Sequence, residues 1–276
     1  MKNEIDIIVP VFNEEGNILK TLEEIIKKVK INNRILIVYD FDEDPTINVV
    51  KKNFSSPKIK LIKNKYYGFN GAIKTAFEII DAKAAILYPA DDHENFDLIT
   101  RMYDKFNEGF DIVCASRFIS GSRYEGAPFI KSLIVKIVSF TLNLFTTLET
   151  KDATNGFRLF SNEIIQKFPI ESKKGFTFSI ELLAKAHRHK YKITELPEKW
   201  PVRVNGKSKF NYYTIFFYLK WYLYILMSNF TTAAICNFLI TILIVTKRIT
   251  VCIYDQCLFS RKWSQFIPKS YTTKTL

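Results

Sequence analysis

Only four of the 276 residues are cysteine (Cys114, Cys236, Cys252 and Cys257), and no two stand in C-x-x-C spacing. That scarcity excludes a zinc knuckle and a disulfide framework, and it suits a reduced, cytosolic setting. No G-x-G-x-x-G follows the first apolar run and no G-x-x-x-x-G-K-[ST] occurs, so dinucleotide-binding and P-loop classes lack support. Met1 to Asp6 carries no apolar run of signal-peptide type, so membrane contact is expected from the other end. There is no internal repeat and no low-complexity tract. Acids are the minority charge. The net balance of +12 favours a polyanionic partner: phosphates, an anionic membrane surface or nucleic acid. No nucleic-acid module accompanies that charge, and the acidic clusters described below would repel a phosphate backbone, so nucleic acid is not expected.

What is present is a core. Apolar residues make up 47% of the chain, which rules against disorder and allows one large domain or a domain with an appendage. Short apolar runs alternate with helical patterns. Strands are expected at Ile5–Val11 (broken by Pro10), Arg34–Val38, Lys58–Ile62, Ala84–Tyr88, Asp111–Ala115 and Ile193–Leu196. Helices are expected from Asn13, as N-cap, to about Lys30, then through Val49 and Val50, from Gly68 to about Ile80, and over Phe96–Phe106, Pro128–Leu148 and Phe176–Lys190. This alternation predicts an α/β fold with a doubly wound, mostly parallel sheet.

Two of the strands run into acids. Ile35 to Val38 leads to Asp40, Asp42, Glu43 and Asp44, and Ala84 to Tyr88 leads to Asp91, Asp92 and Glu94. Ligands of open α/β sheets bind beyond the carboxyl ends of the strands. Seven acids there would repel one another unless a cation joined them, and a divalent metal neutralising a diphosphate is the simplest such cation. A calcium loop at Asp40–Asp44 is excluded, because Pro45 stands where the turn needs glycine and Lys51 where it needs a bidentate Glu. A solvated acidic turn capping the next helix is the plainer alternative for this segment.

Val9-Pro10-Val11-Phe12-Asn13-Glu14-Glu15 resembles the opening motif of family 2 glycosyltransferases of the GT-A fold. Further segments follow in that family's order: Asp40–Thr46, Gly68–Ala72, Asp91 at the D-x-D site, Ser116-Arg117-Phe118, Asp152–Arg158 and Arg203–Lys209. The pattern is most similar to dolichyl- or polyprenyl-phosphate mannosyltransferases, over residues 5 to 209. The resemblance implies a GT-A-like domain at 1–209 that takes a nucleotide diphosphate sugar, with Mg²⁺ or Mn²⁺ as cofactor and a polyprenyl phosphate as acceptor. It implies metal ligation by Asp91, with His93 as a second ligand, and catalytic parts for Asp91, Asp92, Asp152 and Arg203. Pro10, Asn13, Glu14, Asp40, Asp42, Gly71, Ala90 and Lys207 would bind the nucleotide sugar. Arg117, Arg123 and Lys131 would hold the acceptor phosphate, an anionic nucleophile that needs positioning rather than a strong base. Glu181 matches a position near the acceptor. Pro89 stands at the first Asp of D-x-D, while Tyr39 and Phe41 alter the earlier turn, which leaves the donor's base and sugar open. A glycan hydroxyl acceptor, or a non-catalytic nucleotide-sugar-binding membrane protein, remain as alternatives.

After Lys209 the character changes. Lys220 is the only formal charge between Phe210 and Thr246. An aromatic stretch at 212–227 reads as an interfacial helix, and 230–245 as a marginal spanning or re-entrant segment. A membrane-attachment segment at 210–246 and a basic cytoplasmic tail at 247–276 are therefore expected, which puts the protein at the cytoplasmic face of the membrane. His187 and His189 read as solvated rather than metal-binding.

Overall fold

The alternation of apolar side chains along each strand decides which face of the sheet they cover. The computed structural model describes residues 3–125, 129–200 and 215–227, all within the first of two compact units, Met1–Ser228; the second, Asn229–Leu276, lies outside the described residues. In β1 (Ile5–Val11), Ile5, Ile7, Val9 and Val11 enter one core and Ile8 enters the other. In β2 (Asn33–Tyr39), Ile35 and Ile37 join the first set while Leu36 and Val38 join the second. Period-two alternation with both faces apolar is what a parallel sheet covered on both sides requires.

The remaining strands are β3 (Ile59–Lys63), β4 (Ala84–Leu87), β5 (Ile112–Ser116), β6 (Arg123–Tyr124), β7 (Arg158–Ser161), β8 (Ile193–Pro197) and β9 (Lys199–Trp200). Seven of them form one sheet in the order β3-β2-β1-β4-β7-β5-β8, and β6 pairs with β9 beside it. Every neighbouring pair in the large sheet is parallel except those made by β7, which runs antiparallel between β4 and β5. Pro10 pairs with Val38 but lies beyond the last β4 partner, Leu87. Ile8 accepts from the Tyr88 N–H on the β4 side, so the N–H that Pro10 lacks falls where β4 has ended.

Helices α1 (Ile18–Lys28), α2 (Pro45–Asn53) and α4 (Phe96–Asn107) cover one face. Their buried positions include Ile18, Leu22, Ile25, Val50, Leu98 and Ile99. Helices α3 (Gly68–Phe77), α5 (Phe129–Phe145), α6 (Asn162–Lys167), α7 (Thr177–Arg188) and α8 (Ile215–Leu226) cover the other, through residues such as Ile73, Leu142, Ile164, Leu182, Trp221 and Ile225.

Three expectations are corrected. First, Asn13 is not the N-cap of α1. It takes a left-handed φ of 56°, and the helix begins only at Ile18 with no acid in its first turn. Second, β7 and α6 were not foreseen; they occupy a stretch whose buried Arg158 disguises an apolar strand. Third, membrane helices find no support: among the described residues no helix is long and apolar enough to cross a membrane. The aromatic stretch expected at the interface is partly core, because Trp221 and Ile225 of α8 are buried against α7. A boundary at residue 209 would cut α8 away from the core it completes. The segments 230–245 and 247–276 lie outside the described residues.

Candidate active site

The carboxyl ends of β1, β2, β4, β5 and β8 lie along one edge of the sheet, and the loops and helix starts at that edge carry most of the expected site residues among those described. At the β2 end, the Asp40 carboxylate accepts from Asn64 Nδ2 at 2.6 Å and from the Gly68 N–H at 2.9 Å. Left-handed backbone at Tyr67 and Gly68 turns the chain into α3. A Cβ on Gly71 would fall 2.8 Å from the Tyr66 carbonyl carbon, so glycine is what allows that close approach. Asp42 is exposed and forms an ion pair with Lys63. Asp44 is fully buried: one oxygen caps α2 by accepting from the Thr46 N–H at 2.9 Å, and the other accepts from the Asn13 N–H at 3.1 Å. The Thr46 hydroxyl accepts from the Glu14 N–H at 2.8 Å. The loop carrying Asn13 and Glu14 is thus fastened to the second acidic turn, which is why the helix starts late. Phe12 and Phe41 meet edge to face across this loop, with ring centroids 5.5 Å apart.

Beyond β4, the carbonyl of Ala90 accepts from the Thr21 hydroxyl at 2.7 Å. Asp91 is exposed at the crest of the turn. Asp92 is tied to its own turn. Its carboxylate accepts from the backbone N–H groups of Glu94 and Asn95 and from Asn95 Nδ2. Burial still raises its pKa, against the lowering effect of those hydrogen bonds. Beneath it the buried Tyr88 donates its hydroxyl to the Asp92 carbonyl at 3.1 Å. His93 Nε2 is buried and has no hydrogen-bond partner. That orphan nitrogen, two positions from exposed Asp91, fits a divalent ion that takes one or two protein ligands and completes its shell with phosphate oxygens and water. Among the described residues there is no closed cluster of three His, Cys, Asp or Glu side chains, so a structural zinc-type cage is absent from them.

At the β5 end the expected acceptor and catalytic groups neutralise each other. Asp152 is fully buried and binds Arg117 through two parallel contacts, 2.6 Å from Nε and 2.8 Å from Nη2. The Arg117 N–H reaches the same carboxylate at 3.2 Å, and Nη2 also donates to the Thr154 hydroxyl at 3.0 Å. Asp152 therefore fixes the guanidinium plane of Arg117 instead of standing free, and the two charges compensate each other. Its guanidinium carbon lies 5.1 Å from the Trp200 ring centroid. Arg123 is exposed and pairs with Glu125 at 2.7 Å. Lys131, by its side chain, and Arg203 and Lys207, entirely, lie outside the described residues.

Two groups at this edge escaped the sequence reading. Glu198 is 1% exposed and accepts from Asn155 Nδ2, which also donates to the Ala115 carbonyl at 2.9 Å. Burial, offset by nearby Arg117 and reinforced by Asp152 and Asp92, pushes the Glu198 carboxyl up to about 8. Within Pro197-Glu198-Lys199-Trp200 it looks like an ordinary solvated charge; only the packing of β8 against β5 buries it. Asn95 grips the same segment, exchanging two hydrogen bonds with the Lys199 backbone at 2.7 and 2.9 Å. Glu181, expected near an acceptor, is instead a buried clamp. It accepts from the Glu171 and Ser172 N–H groups at 2.6 and 2.8 Å and pairs with Lys185 at 2.7 Å. His187, expected in solvent, is buried with Nε2 unpartnered and its pKa lowered by that burial, while His189 is exposed beside Phe168.

Known proteins resemble this chain in sequence and in fold. A dolichol-phosphate mannosyltransferase of Pyrococcus furiosus is 28% identical over 225 residues, covering 78% of this chain and 62% of that protein. An undecaprenyl-phosphate 4-deoxy-4-formamido-L-arabinose transferase of Pseudomonas fluorescens is 27% identical over 214 residues, covering 75% of this chain and 60% of that protein. The chain thus spans about three fifths of the length of these two relatives. Glucosyl-3-phosphoglycerate synthase of Mycobacterium tuberculosis, solved with UDP, superposes with a TM-score of 0.59 at 13% identity, covering 82% of this chain and 79% of that one. The same synthase with Mn²⁺, UDP and glucosyl-3-phosphoglycerate gives 0.59 as well. At that identity the likeness establishes the GT-A fold alone. The sequence profile described as Glycosyl transferase family 2 matches residues 6–168, more than half of the chain, and with the acid-lined carboxyl edge already in place the conclusion is that this protein belongs to that family of sugar-transferring enzymes.

Proposed function

We propose that this protein transfers a hexose, with inversion, from a nucleotide diphosphate sugar to a polyprenyl phosphate at the cytoplasmic face of a membrane. The observation that carries this reading is the turn after β4, where exposed Asp91 stands two residues from a buried, partnerless His93 Nε2. A Mg²⁺ or Mn²⁺ ion held by Asp91 and His93 would supply charge neutralisation of the donor's diphosphate. The chain's own residues do the rest. Asp40, positioned by Asn64 and Gly68, would contact the donor's base or ribose, with the Pro10–Glu14 loop, Asp42, Gly71 and Ala90 shaping the same end. Arg203 and Lys207 would add cations to the leaving diphosphate. Arg117, locked by Asp152, together with Arg123 and Lys131, would orient the acceptor phosphate.

The two carboxylates that could have served as a general base favour the anionic acceptor over a glycan hydroxyl. Asp152 is bonded to Arg117 and Asp92 to the turn it caps, so neither is offered to a hydroxyl proton. The relatives named for dolichol phosphate and undecaprenyl phosphate support the same choice. Membrane contact is supported by an apolar outward face: Ile137, Phe140 and Leu144 of α5 and Phe216, Leu219 and Leu223 of α8 are exposed. The basic residues of 247–276 favour the cytoplasmic side.

The test is transfer of label from a panel of nucleotide sugars into organic-extractable polyprenyl phosphate, with Mg²⁺ or Mn²⁺ present or chelated. Asp91→Ala is expected to lower turnover by at least about a hundredfold with little change in thermal stability, because the side chain is exposed. Label appearing in glycan instead of lipid would replace the acceptor assignment. Metal-independent transfer that survives Asp91→Ala would overturn the metal assignment.

A further inference from the structure

Asn70 is 5% exposed, and neither its Nδ2 nor its Oδ1 has a hydrogen-bond partner. Native structures seldom bury both ends of an amide without partners, so the pair calls for an explanation: strain, a water, or a group supplied by a ligand. Asn70 is the third residue of α3. Helical spacing puts it on the same side as Ile73 and Phe77, which are buried in the core beneath α3, but one turn nearer the carboxyl edge. Its chain neighbours mark the place. Two residues before it, the Gly68 N–H holds Asp40. Immediately before it, the Phe69 ring packs 4.1 Å from that of Phe176, which in turn covers Gly156 so closely that a Cβ there would meet the ring at 2.8 Å. Asn70 thus follows directly on two residues, Gly68 and Phe69, that touch the Asp40 turn and, through Phe176, the Asp152–Arg158 segment.

The chemistry of the missing partner can be read from the amide. A phosphate oxygen accepts only and would leave Oδ1 unmet; a metal ion would satisfy Oδ1 and leave Nδ2 unmet. A group that both donates and accepts satisfies both, and on a nucleotide diphosphate sugar such groups are the hydroxyls of the sugar. We propose that Asn70 binds a hydroxyl of the donor's sugar and so helps to select which sugar is transferred. This rests on the reading of the carboxyl edge as a nucleotide-sugar site and adds to it a contact with the transferred group.

The test uses the full chain and measures dissociation constants by calorimetry for GDP, GDP-mannose, UDP and UDP-glucose, with wild type, Asn70→Ala and Asn70→Leu. Thermal midpoints of the ligand-free proteins are measured in parallel. The expected result is that both variants lose about tenfold in affinity for the nucleotide sugar that wild type prefers and nothing for its nucleoside diphosphate. Their ligand-free midpoints should not fall, because no intramolecular hydrogen bond is removed; Leu, similar in volume and apolar, guards against loss of folding in the Ala variant. Equal losses for sugar and diphosphate, or no loss for either, would overturn the assignment while leaving the nucleotide-sugar site intact. A lowered midpoint with an unchanged ratio of the two affinities would also overturn it, marking Asn70 as a structural residue bridged by water. Wild type that binds none of the four nucleotides would remove the nucleotide-sugar reading and this inference with it.

Discussion

Glu198 shows how burial changes what a residue does. As a free side chain it would be ionised at neutral pH, but with 1% exposure its neutral form is favoured and burial pushes its carboxyl up to about 8. Between the ordinary glutamate value and about 8 the folded chain holds a proton that the unfolded chain has released. Its contribution to stability is therefore fully present in acid, is lost as pH rises through that window, and is level above it. Glu198→Gln stays neutral throughout. The thermal midpoint of the variant should match wild type near pH 5 and exceed it near pH 8.5, by a difference on the order of a few kcal/mol in unfolding free energy. Melting curves across that range decide the matter, and parallel pH profiles for the two proteins would refute it. None of this was visible in Pro197-Glu198-Lys199, because nothing local distinguishes a buried charge from a solvated one. Asp91 is the opposite case: a motif position that the structure leaves exposed.

Elements were easier to read than their joints. Strand β1 falls at Ile5–Val11 as its apolar run dictates, and α4 and α7 lie within two residues of their expected bounds. The start of α1 was misread because local capping preference competes with a tertiary bond: the Asn13 N–H is taken by Asp44, thirty-one residues away, and the helix waits until Ile18. Asp44 therefore serves two elements at once. Asp44→Ala should lower unfolding free energy by roughly 1–3 kcal/mol, as both a helix cap and a buried acceptor are lost. It should also weaken nucleotide binding, because the Phe12–Glu15 loop loses its anchor. A urea titration with a parallel nucleotide-binding measurement checks both; unchanged stability would show that the loop is held by Thr46 alone. The antiparallel β7 was missed for a related reason. Arg158 reads as a loop charge, yet it is buried mid-sheet and donates to the carbonyls of Ser179 and Asp152 at 2.6 and 2.9 Å.

At the scale of the whole molecule, the sheet gathers acids along its carboxyl edge, while exposed apolar side chains of α5 and α8 meet solvent in a chain whose net charge is +12. Such a surface should bind anionic bilayers through both apolar burial and charge. Full-length protein is expected to co-sediment with vesicles containing phosphatidylglycerol more than with neutral ones, and less as salt shortens the screening length. Replacing Phe140 and Phe216 together with Ser should weaken that binding by about tenfold or more. Binding that ignores lipid charge, salt and both substitutions would remove the membrane from the proposal. The α/β alternation, the acid-bearing turns and the order of the family motifs were all determined by the sequence itself, because they rest on local periodicity and on residue types at fixed spacing. Only the tertiary structure decided that Asp152 belongs to Arg117, that Glu198 is dry, that Asp44 holds the first loop and that Asn70 has no partner. Those outcomes depend on which distant backbone and side-chain groups meet across the sheet edge, and residues 30 to 100 positions apart carry no local signal of that meeting.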